Sequence, residues 1–173
     1  MNTPFIVTLV GADRPGLVNA LAECAAANGA NWLDSSLAHL AGRFAGIVRL
    51  DVPEADADRL EAALRALSSA GLSLSVERGS SAPAAGGELI RMALLAHDRP
   101  GIVRDISAVL TQHRASIERM DSACESGSFN GEAMFRAELE VRVPSGVAPT
   151  ELQAALEALA NELMVDLKLE AGA

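Results

Sequence analysis

A tetrapeptide with the means to bind an anion, Asp-Arg-Pro-Gly, occurs twice in this chain, at residues 13–16 and 98–101. Each copy stands between a short apolar run and a stretch with helical spacing, where a strand turns into a helix. There Asp13 can cap the helix, Pro15 fits its first turn, and Gly16 leaves the first amides uncovered. Uncovered amides at the positive end of a helix suit a carboxylate. A well-capped turn without a ligand is the alternative for a single copy, whereas two copies at matching places favour a ligand site.

The tetrapeptide belongs to a longer internal repeat. Residues 5–18 (FIVTLVGADRPGLV) match residues 90–103 (IRMALLAHDRPGIV) at an offset of 85. Further along the chain, residues 44–53 match residues 135–144 at an offset of 91. The second copy has therefore gained six residues in between, which we place around 126–132. A repeat of this kind indicates one structural unit used twice.

Each copy carries the same order of elements: strand, helix, strand, strand, helix, strand. Alternating apolar residues mark the strands, and apolar residues three or four apart mark the helices. In the first copy the elements are predicted at 5–10, 16–28, 31–39, 43–52, 56–68 and 72–76. In the second copy they are predicted at 89–95, 102–110, 116–125, 133–143, 152–163 and 165–169. The predicted fold class is therefore α+β, with two tandem ferredoxin-like βαββαβ domains whose antiparallel sheets carry helices on one face.

The domain boundaries follow from composition. Residues 79–87, GSSAPAAGG, are small and uncharged, which is typical of a linker. We predict the first domain at residues 1–79, a linker at 80–87 and the second domain at 88–173. Domains this small bury only about 60 % of their unfolded surface, and each sheet has a face without helices. Pairing with the other domain, or with a second chain in a homodimer, would cover those faces.

Charge and cysteine content exclude several classes of function. The net charge of −9 divides into −3 for residues 1–87 and −6 for residues 88–173, and neither half has a basic patch. Such a surface repels phosphate, so no direct nucleic-acid partner is expected. Cys24 and Cys124 are far apart and outside any CxxC motif, which argues against a disulfide and a zinc site. No apolar stretch approaches the length of a membrane span, so no membrane partner is expected and the predicted location is cytoplasmic.

Taken together, the motifs resemble the tandem ACT-domain regulatory proteins, and among these the glycine cleavage system transcriptional repressor type. The residues that carry the resemblance are GADRPGLV at 11–18, GANWLDS at 29–35, AHDRPGIV at 96–103 and RASIERM at 114–120. The resemblance implies a regulatory protein and not an enzyme, with no cofactor. It also implies amino-acid binding at domain interfaces, by the amides after Pro-Gly and by an asparagine that opens the second strand, often from the partner domain.

Carried over to this sequence, the implied site falls on both copies. The predicted ligand-binding residues are Asp13, Arg14, Gly16, Leu17, Asn31, Asp98, Arg99, Gly101, Ile102 and Ser116. Ser116 stands in the second copy where the first has Asn31, which predicts weaker or different binding there. Arg14 and Arg99 either pair with carboxylates or are only exposed loop residues, and the sequence is compatible with both hypotheses. No catalytic residue and no metal ligand is predicted.

The implied function is sensing of a small amino acid, with glycine or serine as first candidates. The protein would control transcription indirectly, through a protein partner such as a LysR-type activator. One alternative is a ligand-free scaffold whose domains only dimerise, and a cryptic enzyme is a third hypothesis. Calorimetry against the twenty amino acids separates the sensor from the scaffold.

Several other residues with reactive side chains admit plainer roles. His97 either contacts a ligand or faces solvent. His39 and His113 are predicted at a strand end and a helix end. No activating pattern surrounds Cys124, so a nucleophilic thiol is not expected. Trp32 opens a strand and is predicted to pack at an interface.

Overall fold

The chain forms two compact units, unit 1 (Met1–Pro83) and unit 2 (Ala84–Ala173). The structure is a computed structural model that describes residues 1–68, 72–79, 86–126, 132–163 and 166–171. Within each unit the elements follow the order predicted from the repeat. Residues 80–85 of the predicted linker lie outside the described residues, so the domain boundaries stay predictions.

Unit 1 is a four-stranded antiparallel sheet with two helices. Its elements are β1 (Asn2–Ala12), α1 (Leu17–Ala27), β2 (Asn31–Leu40), β3 (Arg43–Pro53), α2 (Ala57–Leu67) and β4 (Leu72–Arg78). The strand order is β2-β3-β1-β4, and each neighbouring pair is antiparallel. A 3-10 turn at Glu54–Asp56 precedes α2, so this helix begins one residue later than predicted.

Unit 2 repeats this arrangement with the strand order β6-β7-β5-β8. Its elements are β5 (Glu88–His97), α3 (Ile102–Gln112), β6 (Ser116–Ser126), β7 (Ala133–Val143), α4 (Pro149–Leu163) and β8 (Asp166–Ala171). Asn31 pairs with Asp51 in unit 1, and the equivalent pair in unit 2 is Ser116 with Arg142. The six extra residues therefore enter between β6 and β7, as predicted, although residues 127–131 themselves lie outside the described residues.

The alternation of apolar residues along each central strand decides which face of the sheet is covered. In β1, Phe5, Val7 and Leu9 are buried, while Thr8 and Val10, which point to the opposite face, are exposed. Leucines from both helices pack onto this buried face: Leu17, Leu21, Leu60 and Leu64. Both helices of unit 1 therefore cover one face, and each fully buried leucine contributes roughly 1.5–3 kcal/mol.

The core of unit 2 has the same plan. The buried strand residues Met92, Leu94 and Leu139 meet helix residues Ile106 and Leu156. In unit 1, the half-buried side chains of Trp32 and Cys24 pack against the core of their own unit. The packing predicted for Trp32 at an interface is thus, in part, packing within unit 1.

The two helix-free faces differ in chemistry. In unit 1 the face carries Val10 and Ile47, whose side chains are 42 % and 47 % exposed. In unit 2 the face carries Leu95, which is 41 % exposed, together with charged side chains. A surface cavity of 390 Å³ lies there between Arg91, Arg119 and Lys168. Exposed apolar side chains therefore lie on the helix-free faces of both units, and the face of unit 2 adds more charged side chains.

Candidate ligand site at the strand–helix loops

Each tetrapeptide forms a tight loop, loop 1 (Asp13–Gly16) between β1 and α1, and loop 2 (Asp98–Gly101) between β5 and α3. Gly16 and Gly101 are the N-cap residues of their helices, with φ of 92° and 97°. This left-handed conformation is open to glycine and costly for residues with a Cβ. The two loops thus share one backbone geometry that requires glycine at its last position.

The predicted helix cap by Asp13 is wrong, as is a matching cap by Asp98. Neither helix has a side-chain hydrogen bond at its N-cap. The Pro-Gly pair belongs to the turn before the helix, so each aspartate lies three residues ahead of the N-cap instead of at it. For the same reason Pro15 precedes the first helical turn instead of lying within it.

Backbone amides without helical partners remain at both helix starts. The first helical bonds run from the Ala20 N–H to the Gly16 carbonyl and from the Asp105 N–H to the Gly101 carbonyl, each 2.9 Å long. The amides of residues 17–19 and 102–104 precede these bonds and have no intrahelical acceptor. The side chains of Leu17 and Ile102 are buried in the cores, so only their amides are placed to meet a ligand.

A histidine from the neighbouring strand contacts loop 1. His39, near the end of β2, brings its Nε2 to 3.6 Å from an oxygen of the Asp13 carboxylate. Both side chains are more than half exposed, so the pair is worth little energetically. His39 therefore reaches the candidate site from its predicted position at a strand end.

Cys124 occupies the position in unit 2 that His39 occupies in unit 1, opposite the equivalent phenylalanine of the next strand. Loss of solvation raises the pKa of the Cys124 thiol, and the charge of Asp98 and a hydrogen bond with it raise this pKa further. A thiol held protonated in this way is a poor nucleophile. In the residue before loop 2, His97 Nδ1 lies 3.2 Å from a carboxylate oxygen of Glu132.

Ion pairs tie loop 2 to its own helix. Arg99 Nη2 lies 2.9 Å from Asp105 Oδ2, and Arg104 Nη2 lies 2.7 Å from Asp105 Oδ1. The hydrogen bonds from Arg104 and Arg99 hold the pKa of the Asp105 carboxyl below its usual range. For the loop arginines, the sequence allowed either pairing with a carboxylate or no such pair. Arg99 pairs with a carboxylate, that of Asp105.

The residue that opens the second strand lies far from the loop of its own unit. Asn31 pairs with Asp51, which pairs with Pro4 in β1, whereas loop 1 follows Ala12. Eight residues of strand separate these ends, or about 26 Å at the usual rise per residue. Ser116 is equally remote from loop 2, because the registers of unit 2 are equivalent. Neither unit alone brings the predicted site residues together.

Three residues at these loops were not predicted from the sequence: His39 as a partner of Asp13, Glu132 as a partner of His97, and Asp105. The repeat carried a signal for the first, since His39 and Cys124 stand at the same offset of 85 as the loops. Asp105 was visible as an acidic residue in the first turn of α3, where α1 has none.

Other kinds of site find no support in the described residues. Across those parts of the chain, no three His, Cys, Asp or Glu side chains are grouped so that they could hold a metal ion. Both cysteines are free thiols. None of the described helices has the length and apolar character needed to cross a membrane.

Matches to protein-family models show to which family this chain belongs. The model of the ACT domain matches residues 3–77, and a second ACT-domain model matches residues 91–161. The chain belongs to the ACT-domain family. In this ACT protein each matched range contains one of the two glycine-capped loops.

Three individual proteins are similar in fold or sequence. A crystal structure of a protein of unknown function from Galdieria sulphuraria is 28 % identical, with a TM-score of 0.86 over 100 % of both chains. A structure assigned provisionally as a glycine cleavage system transcriptional repressor is 22 % identical, with a TM-score of 0.70 over 98 % of this chain and 97 % of its own; it shows the shared fold. A UPF0237 protein of Methanopyrus kandleri is 41 % identical over 54 residues, which cover 31 % of this chain and 60 % of that protein. The chain thus spans less than two thirds of this curated relative.

Proposed function

We propose that this ACT protein is a non-enzymatic regulator that binds a small amino acid, with the ligand carboxylate on the amides of Gly16 and Leu17. The observation that supports it best is the geometry of loop 1, where a left-handed glycine leaves three helix amides without intrahelical acceptors. The helix end adds a partial positive charge, and glycine allows an anion to approach closely.

The ammonium group of the ligand needs an acceptor that loop 1 does not supply from its own unit. Asn31 has a side-chain carbonyl for this role and is exposed at the far end of the sheet. We therefore assign Asn31 to the loop 1 of a second chain, so that a homodimer builds the complete site. Light scattering tests the dimer, and a monomer that still binds the amino acid would contradict the assignment of Asn31.

The regulatory output would be indirect. The fold shared with the provisional glycine cleavage repressor suggests glycine or serine as ligand and transcription as the controlled process. A net charge of −9 disfavours contact with DNA phosphates, so the output would pass through a protein partner such as a LysR-type activator. Cytoplasmic location stays a prediction that accompanies this role.

Isothermal calorimetry of the full chain against each of the twenty amino acids tests the proposal. We expect saturable binding of one or a few small amino acids, with glycine and serine tried first. Absence of binding by all twenty would favour the alternative, a ligand-free scaffold. The partly apolar helix-free face of unit 1 is the observation that favours this alternative, because such a face suits association with another domain.

A further inference from the structure

The two loops share a backbone but differ in the side chains of the helix turn that follows. Residues 19 and 20 of α1 are Asn and Ala, whereas the equivalent residues 104 and 105 of α3 are Arg and Asp. This difference is independent of the exchange of Asn31 for Ser116, which lies at the other end of the sheet.

The space beside the capping glycine is open in unit 1 and occupied in unit 2. A Cβ placed on Gly16 would meet no atom within 4 Å. A Cβ placed on Gly101 would lie 3.2 Å from Nη2 of Arg104, so the guanidinium group covers this glycine. Asn19 turns away instead, and its Nδ2 donates to Glu23 Oε1 at 2.8 Å, one turn further along the helix.

The charges around the two loops also favour an anionic ligand at loop 1 over loop 2. Loop 1 has one carboxylate, Asp13, which His39 contacts. Loop 2 and its surroundings have three carboxylates, Asp98, Asp105 and Glu132. The guanidinium groups of Arg99 in loop 2 and Arg104 in α3 are already engaged, since both donate to Asp105. An incoming carboxylate would have to displace Asp105 from two arginines or share them with it.

We infer that Asp105 is a built-in anion of loop 2 and, with Arg104 over Gly101, closes it, so that each chain binds a carboxylate ligand at loop 1 only. This inference rests on the proposed function, because it assumes that loop 1 accepts a carboxylate. It makes the second unit a structural copy of the first that does not bind this ligand.

Exchange of the two helix residues between the loops tests the inference. The variant R104N/D105A gives loop 2 the residues of loop 1, and N19R/A20D gives loop 1 those of loop 2. The probe is acetate, which carries the carboxylate shared by all amino acids, titrated into the full ¹⁵N-labelled chain. The amide signals of Gly16 and Leu17 report on loop 1, and those of Gly101 and Ile102 report on loop 2. Unchanged signals elsewhere show that each variant is folded.

In the wild-type chain we expect saturable shifts at loop 1 and none at loop 2. R104N/D105A should gain shifts at loop 2. N19R/A20D should weaken acetate binding at loop 1 by about tenfold, because its new carboxylate repels acetate and holds its new guanidinium group in an ion pair beside Gly16.

Equal wild-type responses at both loops, or a response at loop 2 alone, would overturn the inference and leave carboxylate binding intact. An unchanged affinity of loop 1 in N19R/A20D would also overturn it. No response at either loop in the wild-type chain and in R104N/D105A would refute the proposed carboxylate site itself.

Discussion

At the scale of single residues, the candidate site depends on groups that lie far apart in sequence and, for Asn31, far apart within one unit. Loop 1 supplies amides and Asn31 supplies a polar side chain, yet about 26 Å of sheet separates them. A site that needs both must draw them from two domains. The Asn31 side chain is exposed and does not belong to the core. Its removal should therefore change ligand affinity without changing the stability of the fold.

Asn31→Ala should weaken amino-acid binding by roughly 5- to 150-fold, because a polar group of the ligand loses its partner at a cost of about 1–3 kcal/mol. Calorimetry with the tightest ligand of the amino-acid panel measures the change. Ser116→Ala is the matched control at the equivalent position of unit 2, and it should leave the affinity unchanged. Equal losses of affinity in the two variants would show that Asn31 and Ser116 contribute equally to amino-acid binding, which would contradict the prediction.

A second prediction at this scale concerns Cys124. Because the Asp98 carboxylate contributes to its raised pKa, the Cys124 thiol should stay protonated to higher pH than an ordinary thiol. Asp98→Asn removes the negative charge and should move the pH profile of Cys124 alkylation by iodoacetamide to lower pH. Mass spectrometry of the Cys124 peptide measures this rate separately from that of Cys24. A profile that does not move would mean that Asp98 has no influence on the thiol.

At the scale of elements, local sequence patterns predicted the order and type of the strands and helices. Apolar residues three or four apart marked the helices, and in α1 such residues, Leu17, Leu21 and Ala25, are buried. The prediction that Asp13 caps α1 was wrong, because the pattern marked where helical spacing begins but not the conformation of the Pro-Gly turn. The contact between His39 and Asp13 was out of reach for a different reason, since it depends on the register of β2 in the sheet.

The left-handed glycine of loop 1 leads to a prediction about stability. Gly16→Ala has room for its methyl group, yet the φ of 92° penalises any residue with a Cβ, so we expect a loss of about 1–2 kcal/mol in the free energy of unfolding. Urea denaturation measures it. Ala41→Gly is the reverse control, because Ala41 has a φ of 49° in the β2–β3 turn and glycine would relieve that strain. A stable Gly16→Ala variant would mean that the loop adopts another conformation.

At the scale of the whole molecule, each unit has a hydrophobic core of its own, built from its own strands and helices. The repeat in the sequence predicted two similar units, and family and fold confirm them as ACT domains. The difference between their helix-free faces was not predicted, because it depends on which side chains of each strand point away from the helices. The equivalent units thus share a core pattern while their outer surfaces and loops have diverged.

The separate cores predict that damage to one unit leaves the other folded. Leu64 is fully buried in unit 1, and Leu64→Ala should destabilise that unit by about 2–5 kcal/mol. Leu156 is its counterpart in the core of unit 2, so Leu156→Ala should destabilise unit 2 by a similar amount. Trp32, the one tryptophan of the chain, packs against the core of unit 1, so its fluorescence reports the unfolding of unit 1.

Leu64→Ala should therefore shift the midpoint of the fluorescence transition to a lower urea concentration. Leu156→Ala should leave that midpoint unchanged and shift only an unfolding transition that is detected by circular dichroism. This outcome follows because each substitution leaves a cavity among residues of one core and removes no contact from the other. If Leu156→Ala shifts the Trp32 transition as far as Leu64→Ala does, the two ACT domains unfold as one cooperative unit. Their stabilities would then be coupled by an interface, as the proposed dimeric site also requires between chains.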